Sequence, residues 1–387
     1  MDTGSVDNHP SPQIISHLSP RRPIVIPISE LPQPSVEPSE PIKYSQYPRV
    51  LIIGPGGAKG LEATGFLSPV EDAGLIDNVD TYCGVSVGAI ICLLMICGYK
   101  IREIVGEAVK FDIFKEMGPF NFKSVMENKG FISNEPVRKL LSQLVINKFG
   151  NIPTLHGLYM RTGKAFVAVT LNATDELCVM MNPFDNPDVS CVDATMFSMN
   201  IPFIFYQLVH RGKTYVDGAL ANCYPVDYFD DGDTPILAIY MKTVSPKGTP
   251  SPLISSHSSG TIVQRIEETP SLPIGTYCLK MMHSLMDHRR NDIVRNASPQ
   301  CMHVCLETAI ADATGSCITM QDKATMLVNG FNKGKAFLAD LQIGKYPDPK
   351  IPPRLRYTYP PYYMIGEGAE INNPEIEPVN ILSAMNS

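Results

Sequence analysis

Apolar residues along this chain gather into short blocks, and the spacing within each block separates strands from helices. Val50-Leu51-Ile52-Ile53 is a continuous apolar run of strand length, followed by a helical pattern from about Leu61 to Ala73. Val79 to Cys83 reads as a second short buried strand. Ala89 to Cys97 reads as an apolar helix stopped by Gly98. Helical periodicity returns at Ile101 to Met117 and at Asn134 to Asn147. Strands are expected at Ala165 to Leu171, Thr214 to Val216, Ile236 to Met241 and near Cys301 to Leu306. Two further helices are expected at Thr276 to Arg295 and Gln321 to Leu341. Strands alternating with helices predict an α/β domain with helices on both faces of one sheet. No internal repeat is visible.

The pattern fades in three places. Residues 1–48 hold ten of the 34 prolines, from Pro10 to Pro48, with few large apolar side chains, which predicts a disordered N-terminal arm. Residues 344–387 form a Pro- and Tyr-rich tail whose tyrosines give it something to bury, on its own domain or on a partner. Between them the domain is expected to span residues 49–343. A Ser/Pro/Gly-rich stretch, residues 242–273, reads as a mobile loop inside it, because ordered patterns resume on both sides.

Composition narrows the classes. The chain has 387 residues, 44% hydrophobic and 18% charged, enough for one large core or two ordinary ones. A net charge of −7 argues against general nucleic-acid binding. Ten scattered cysteines, several inside apolar runs, suit reduced buried thiols better than a disulfide framework. The N-terminus lacks a basic segment followed by an apolar one, so no signal peptide is evident. The run from Ala89 to Cys97 is too short to span a bilayer. The expectation is a soluble protein, cytoplasmic or peripheral to intracellular membranes.

Chemistry concentrates in three segments. Gly84-Val85-Ser86-Val87-Gly88 is a Gly-x-Ser-x-Gly pattern with a strand before it and an apolar helix after it, the context of a nucleophile elbow. Its structural alternative is an ordinary strand-to-helix turn in which serine merely caps the helix. Upstream lies Gly54-Pro55-Gly56-Gly57-Ala58-Lys59-Gly60. It is no phosphate-binding P-loop, because Lys59 precedes Gly60 and Leu61 follows. It is no dinucleotide fingerprint either, because Lys59 stands where the third glycine belongs. What survives is a loop of free backbone N–H groups able to hold an oxyanion through Gly56 and Gly57; Pro55 has no N–H to give. Lys59 either adds positive charge to the site or lies in solvent. Asp217, in Val216-Asp217-Gly218-Ala219, is a turn aspartate bonding its own backbone, or the base that an activated serine needs. None of the eight histidines has a surrounding motif. Cys301-Met-His303-Val-Cys305 places three potential ligands on one strand face, but no second cluster completes a zinc site, so buried strand residues are the better reading.

In this order the three segments resemble a patatin-like phospholipase. Pro55-Gly56-Gly57-Ala58-Lys59-Gly60 is similar to the family's oxyanion loop, with Pro55 in place of a glycine. Gly84 to Gly88 match its elbow, and Asp217-Gly218-Ala219 its Asp-Gly-Gly/Ala motif. Asp193 to Ser198, Ile201 to Phe205, Asn222, Pro225 and the closing helix around Gly330 extend the resemblance, which runs from about Arg49 to Leu341. It implies a three-layer α/β/α sandwich with a central, mostly parallel sheet. It also implies a dyad of Ser86 as nucleophile and Asp217 as base, without histidine, metal or cofactor. Gly56 and Gly57 would form the oxyanion hole, with Ala58 as a further candidate donor. Lys59, Gly60, Gly84, Gly88 and Gly218 would support them. The implied substrate is a phospholipid or other lipid ester, met at a membrane surface by peripheral contact. Two rivals stand beside this reading: a neutral-lipid hydrolase or acyltransferase using the same dyad, and a non-catalytic binding or structural protein on the same fold. Intact Ser86 and Asp217 count against the second.

Overall fold

The computed structural model describes residues 47–110, 122–243, 274–308 and 318–342. The predicted tail lies outside them, as do almost all of the predicted arm and loop and the end of the helix expected to reach Met117. β1 (Val50–Ile53) leads through the glycine loop into α1 (Gly60–Asp72), and β2 (Thr81–Val85) leads into α2 (Val87–Ile96). After α3 (Ile101–Lys110) and α4 (Phe122–Asn128) come β3 (Gly130–Ile132), α5 (Glu135–Phe149) and α6 (Leu155–Thr162). The hairpin β4 (Ala165–Asn172) and β5 (Leu177–Met181) precedes α7 (Cys191–Ser198), β6 (Phe203–Phe205), β7 (Leu208–His210) and β8 (Lys213–Asp217). Last come α8 (Val226–Phe229), β9 (Ile236–Thr243), α9 (Ile274–Asn296), β10 (Cys301–Thr308) and α10 (Met320–Gln342).

The main sheet runs in the order β10-β9-β1-β2-β4-β8-β7, with β5 also paired to β4. From β10 to β4 every pairing is parallel, whereas β5, β8 and β7 join antiparallel. Successive side chains of a strand point to opposite faces, and the core divides accordingly. Leu51 and Ile53 pack with α1, α2, α5 and α7, while Val50 and Ile52 pack toward α8 and α9. The result is the expected three-layer α/β/α arrangement, in which the central strands are apolar on both faces.

One register positions the chemistry. β2 pairs with β4 through Val85↔Val169, and β8 pairs with β4 through Thr170↔Asp217. β5 occupies the other edge of β4 over residues 168–172, so β2 and β8 must share one edge. They run in opposite directions and meet end to end between Val169 and Thr170.

Strand limits differ from expectation where pairing decides them. β2 continues through Gly84 to Val85 because Ala168 and Val169 remain available as partners. β9 extends to Lys242 and Thr243, residues assigned to the loop from sequence, because Glu307 and Thr308 of β10 pair with them.

α1 and α10 pack closely along a glycine seam. A Cβ on Gly330 would lie 2.1 Å from the Glu62 carbonyl oxygen, and one on Gly334 would lie 2.5 Å from that of Phe66. On a free helix, Gly→Ala gains about 1 kcal/mol. Here the added methyl meets backbone, and overpacking of that kind costs about 1–3 kcal/mol. Gly330→Ala is therefore expected to lower the urea midpoint of unfolding. A raised midpoint would show that α10 does not seat this tightly against α1.

Candidate active site

Ser86 is the single residue between β2 and α2, with φ +57° and ψ −122°. A serine in that region stores roughly 1–3 kcal/mol of strain, which persists only where its surroundings impose it. The surroundings here are tight. A Cβ on Gly84 would stand 2.3 Å from the Ala89 nitrogen, and one on Gly88 would stand 2.0 Å from the Ile53 carbonyl oxygen. The elbow glycines are thus required by close backbone approach between strand, turn and helix. The Ser86 N–H donates to Ser198 Oγ at 3.0 Å, tying the turn to the end of α7. Ser86 occupies the N-cap position of α2, but its hydroxyl makes no cap hydrogen bond. The hydroxyl instead lies beside the Asp217 carboxylate, near enough to lower its pKa. The positive end of α2 lies beside it.

Asp217 ends β8 and is 2% exposed. Its N–H donates to the Asn200 carbonyl at 2.9 Å, and its Oδ1 accepts the Ala219 N–H at 2.8 Å. The turn reading is realised, since Asp217 caps its own turn, and its carboxylate also faces Ser86. Burial pushes its carboxyl up to about 6, against the lowering effect of the Ser86 and Ala219 hydrogen bonds. Gly218 is needed at this junction, since a Cβ there would lie 2.0 Å from the Val169 carbonyl oxygen.

The glycine loop completes the third side. Gly54 N–H donates to Ile239 O at 2.9 Å, which fixes the start of the loop on β9. Gly56 follows in extended backbone, and Gly57 has φ +54°. Neither amide has a backbone acceptor among the described residues, so both donors remain available. Pro55 sits in the cavity wall without disturbing the 3-10 turn Gly57–Lys59 that leads into α1. Gly60 lets this turn close on the elbow, since a Cβ there would come within 2.6 Å of the Val87 side chain. Lys59 is buried, not in solvent, and its Nζ donates to Thr243 Oγ1 at 2.9 Å. Burial depresses its pKa, offset in part by the charges of Asp287 and Glu62. Glu62, on the first turn of α1, is itself pushed up to about 7 by burial.

Two cavities meet at Ser86 and Gly57. One, of about 180 Å³, is the more polar of the two: Gly56, Asp217, Lys59, Lys242, Asp287 and Arg290 line it together with the apolar Ile201, Met241 and Met286. The other, of about 270 Å³, is apolar and runs between α2, α3 and α5, with Ile90, Leu94, Leu141 and Ile204 in its wall. Ala58 lines the apolar cavity and not the polar one. An ester carbonyl held at the junction would have an apolar channel on one side and charged groups on the other.

No histidine with a described side chain lines either cavity. His303 hydrogen-bonds through Nδ1 to the Tyr224 hydroxyl at 2.8 Å, so the Cys-His-Cys strand face is a packed one. Among the described residues the cysteines are unpaired, and all are buried except the half-buried Cys305. No helix among the described residues is long and apolar enough to cross a membrane. Sequence reasoning assigned no role to Ser198, Asn200, Asp287 or Arg290. The segment Asp193 to Ser198 was the only signal pointing to any of them.

Residues 51–230 match the family model described as patatin-like phospholipase. A stretch of 185 residues is 25% identical to the "Probable lipid hydrolase 463L" of Invertebrate iridescent virus 6, covering 47% of this chain and 63% of that protein. Another, of 201 residues, is 26% identical to "Uncharacterized protein R571" of Acanthamoeba polyphaga mimivirus, covering 51% of this chain and 66% of that one. The chain thus spans just under two thirds of either viral relative. Among solved structures, VipD from Legionella pneumophila overlays with a TM-score of 0.47 at 15% identity, covering 76% of this chain and 67% of that one. The type III effector protein ExoU overlays at 0.43 with 14% identity, covering 78% and 54%. The matched span contains the glycine loop, the elbow and Asp217, and it ends before β9. Residues 51–230 are a patatin-like phospholipase domain.

Proposed function

We propose that this protein is a lipid acyl hydrolase that cleaves acyl esters of phospholipids through Ser86 and Asp217, at a membrane surface it contacts peripherally. The observation that carries this reading is the strained Ser86, beside the buried Asp217 carboxylate, at the junction of an apolar and a more polar cavity. The acyl chain occupies the apolar cavity, which sets the ester carbonyl over Ser86. Oγ attacks the carbonyl carbon while Asp217 takes the hydroxyl proton. The Gly56 and Gly57 amides receive the oxyanion; one such donor is worth about a hundredfold to a thousandfold in rate. Collapse of the tetrahedral intermediate expels the glycerol oxygen, which takes the proton from Asp217. Water then enters, Asp217 removes its proton, and a second tetrahedral intermediate releases the fatty acid and restores Ser86. Lys59, Gly60, Gly84, Gly88 and Gly218 act by holding these groups in place.

Ser86→Ala should abolish hydrolysis of a phospholipid ester and labelling by a serine-directed fluorophosphonate, with thermal stability nearly unchanged. Turnover retained in that variant would remove Ser86 from the reaction.

Asp217 links rate to stability. Asp217→Asn should lose at least about a hundredfold in kcat, the lower end of general-base catalysis. The folded protein binds the Asp217 proton more tightly than the unfolded chain does, because its carboxyl is raised from the ordinary value to about 6. Protonation therefore stabilises the fold below about pH 4, and that stabilisation is lost as pH rises through about 6. A two-unit rise corresponds to about 3 kcal/mol. The Asp217→Asn variant, which avoids the buried charge, should be more stable than wild type above pH 6 by about 1–3 kcal/mol and should converge with it below pH 4. Denaturant unfolding across this range measures it. An Asp217→Asn variant less stable at pH 7 would show that the carboxylate is a structural support.

A further inference from the structure

We propose that the polar cavity beside Ser86 binds the phosphodiester of a lipid headgroup, and that Arg290 of α9 is the residue that selects it. This inference rests on the hydrolase reading for its substrate. Its distinguishing residue, Arg290, lies beyond the matched span, which ends at residue 230.

Arg290 lines the cavity and is only 6% exposed. One arm of its guanidinium donates to Asp287 Oδ1 at 2.7 Å, and the group stacks 4.7 Å above the Tyr240 ring. Its Nε is buried with no hydrogen-bond partner among the described residues. A buried charged donor without a partner is costly. Arginine's planar fork suits phosphate oxygens, to which it can donate two parallel hydrogen bonds.

Charge around the cavity points the same way. Lys59, Lys242 and Arg290 stand against Asp217 and Asp287, a surplus of one positive charge. A phosphodiester carries one negative charge and balances it; a neutral glyceride leaves it uncompensated. Burial lowers the Lys59 pKa, and an anion in the cavity favours its charged form. The layout also fits a phospholipid, in which only a few bonds separate the acyl ester from the phosphate. Ser86 and Gly57 border both cavities, so ester, acyl chain and phosphate can be held at once.

The test compares kcat/KM for phosphatidylglycerol and for diacylglycerol, each presented in the same neutral detergent micelles. Arg290→Gln should lower the phospholipid-to-glyceride ratio by about tenfold to a hundredfold, the span expected for a hydrogen bond to a charged group. Equal loss on both substrates, leaving the ratio unchanged, would mean that Arg290 only supports the fold and would overturn the proposal. Where Arg290→Gln does not stay folded, Arg290→Lys keeps the charge without the fork and must still lower the ratio; an unchanged ratio again overturns it. A second arm needs no turnover. Ser86→Ala protein is titrated with micelles of diether phosphatidylglycerol or of diether glycerol. Tighter binding of the phospholipid, lost on adding Arg290→Gln, supports the subsite even if wild type hydrolyses neither ester. Equal binding of the two lipids rejects it. Inorganic phosphate is the competitor that separates the sources: if phosphate alone binds as tightly as the micellar phospholipid, the cavity takes a free anion and the headgroup assignment fails.

Discussion

β2 and β8 arrive from opposite directions on one edge of β4 and stop head to head, at Val169 and Thr170. No loop of adjustable length separates Ser86 from Asp217, because the hydrogen-bond ladder of β4 fixes where both strands end. The motif glycines follow from that constraint. Gly84 and Gly88 let strand, turn and helix close on one another, and Gly218 passes the Val169 carbonyl where a side chain could not. The register thus holds Ser86 and Asp217 in a fixed relation, which the proposed chemistry requires.

The site is held against appreciable opposing terms. Strain at Ser86 and burial of the Asp217 carboxylate together cost several kcal/mol, by the magnitudes for a forced dihedral and a two-unit pKa rise. A domain has only about 5–15 kcal/mol of net stability to oppose them. The compensation is structural: a parallel core apolar on both faces, the Ser198 hydroxyl on the Ser86 amide, and the Asn200 carbonyl on the Asp217 amide. Asn200 is fixed in turn by its side-chain bond to the Tyr215 carbonyl at 3.0 Å. Ser198 and Asn200 connect the end of α7 to both Ser86 and Asp217, so the helix acts as a brace across the strand ends.

The parts of the site legible in sequence were those with local backbone demands. Ser86, the glycine loop and Asp217-Gly218-Ala219 each need particular residues within a few positions, and glycine leaves a visible mark. The strands β1, β4, β9 and β10 were equally visible, because burial on both faces makes them continuous apolar runs. Missing were β3, β5, β6, β7, α4, α6, α7 and α8, which are short and gain their order from pairing and packing with distant segments. Lys59 could be read either as solvated or as part of the site; only the position of Thr243, far along the chain, shows it buried. Arg290 sits in a helix rich in polar residues, where one more arginine carries no signal. Its burial arises from Tyr240 and Asp287 and from the neighbouring cavity.

The central claim is that Ser86 owes its reactivity to Asp217 and to no other base. The most direct measurement is the rate of fluorophosphonate labelling at Ser86 as a function of pH, in wild type and in Asp217→Asn, with the modified residue located by mass spectrometry. The account predicts that labelling of wild type rises through an apparent pKa near 6, the value to which burial brings Asp217. In the Asp217→Asn variant labelling should be slow and flat across the same range. The same rise in both proteins, or a label on another residue, would contradict it.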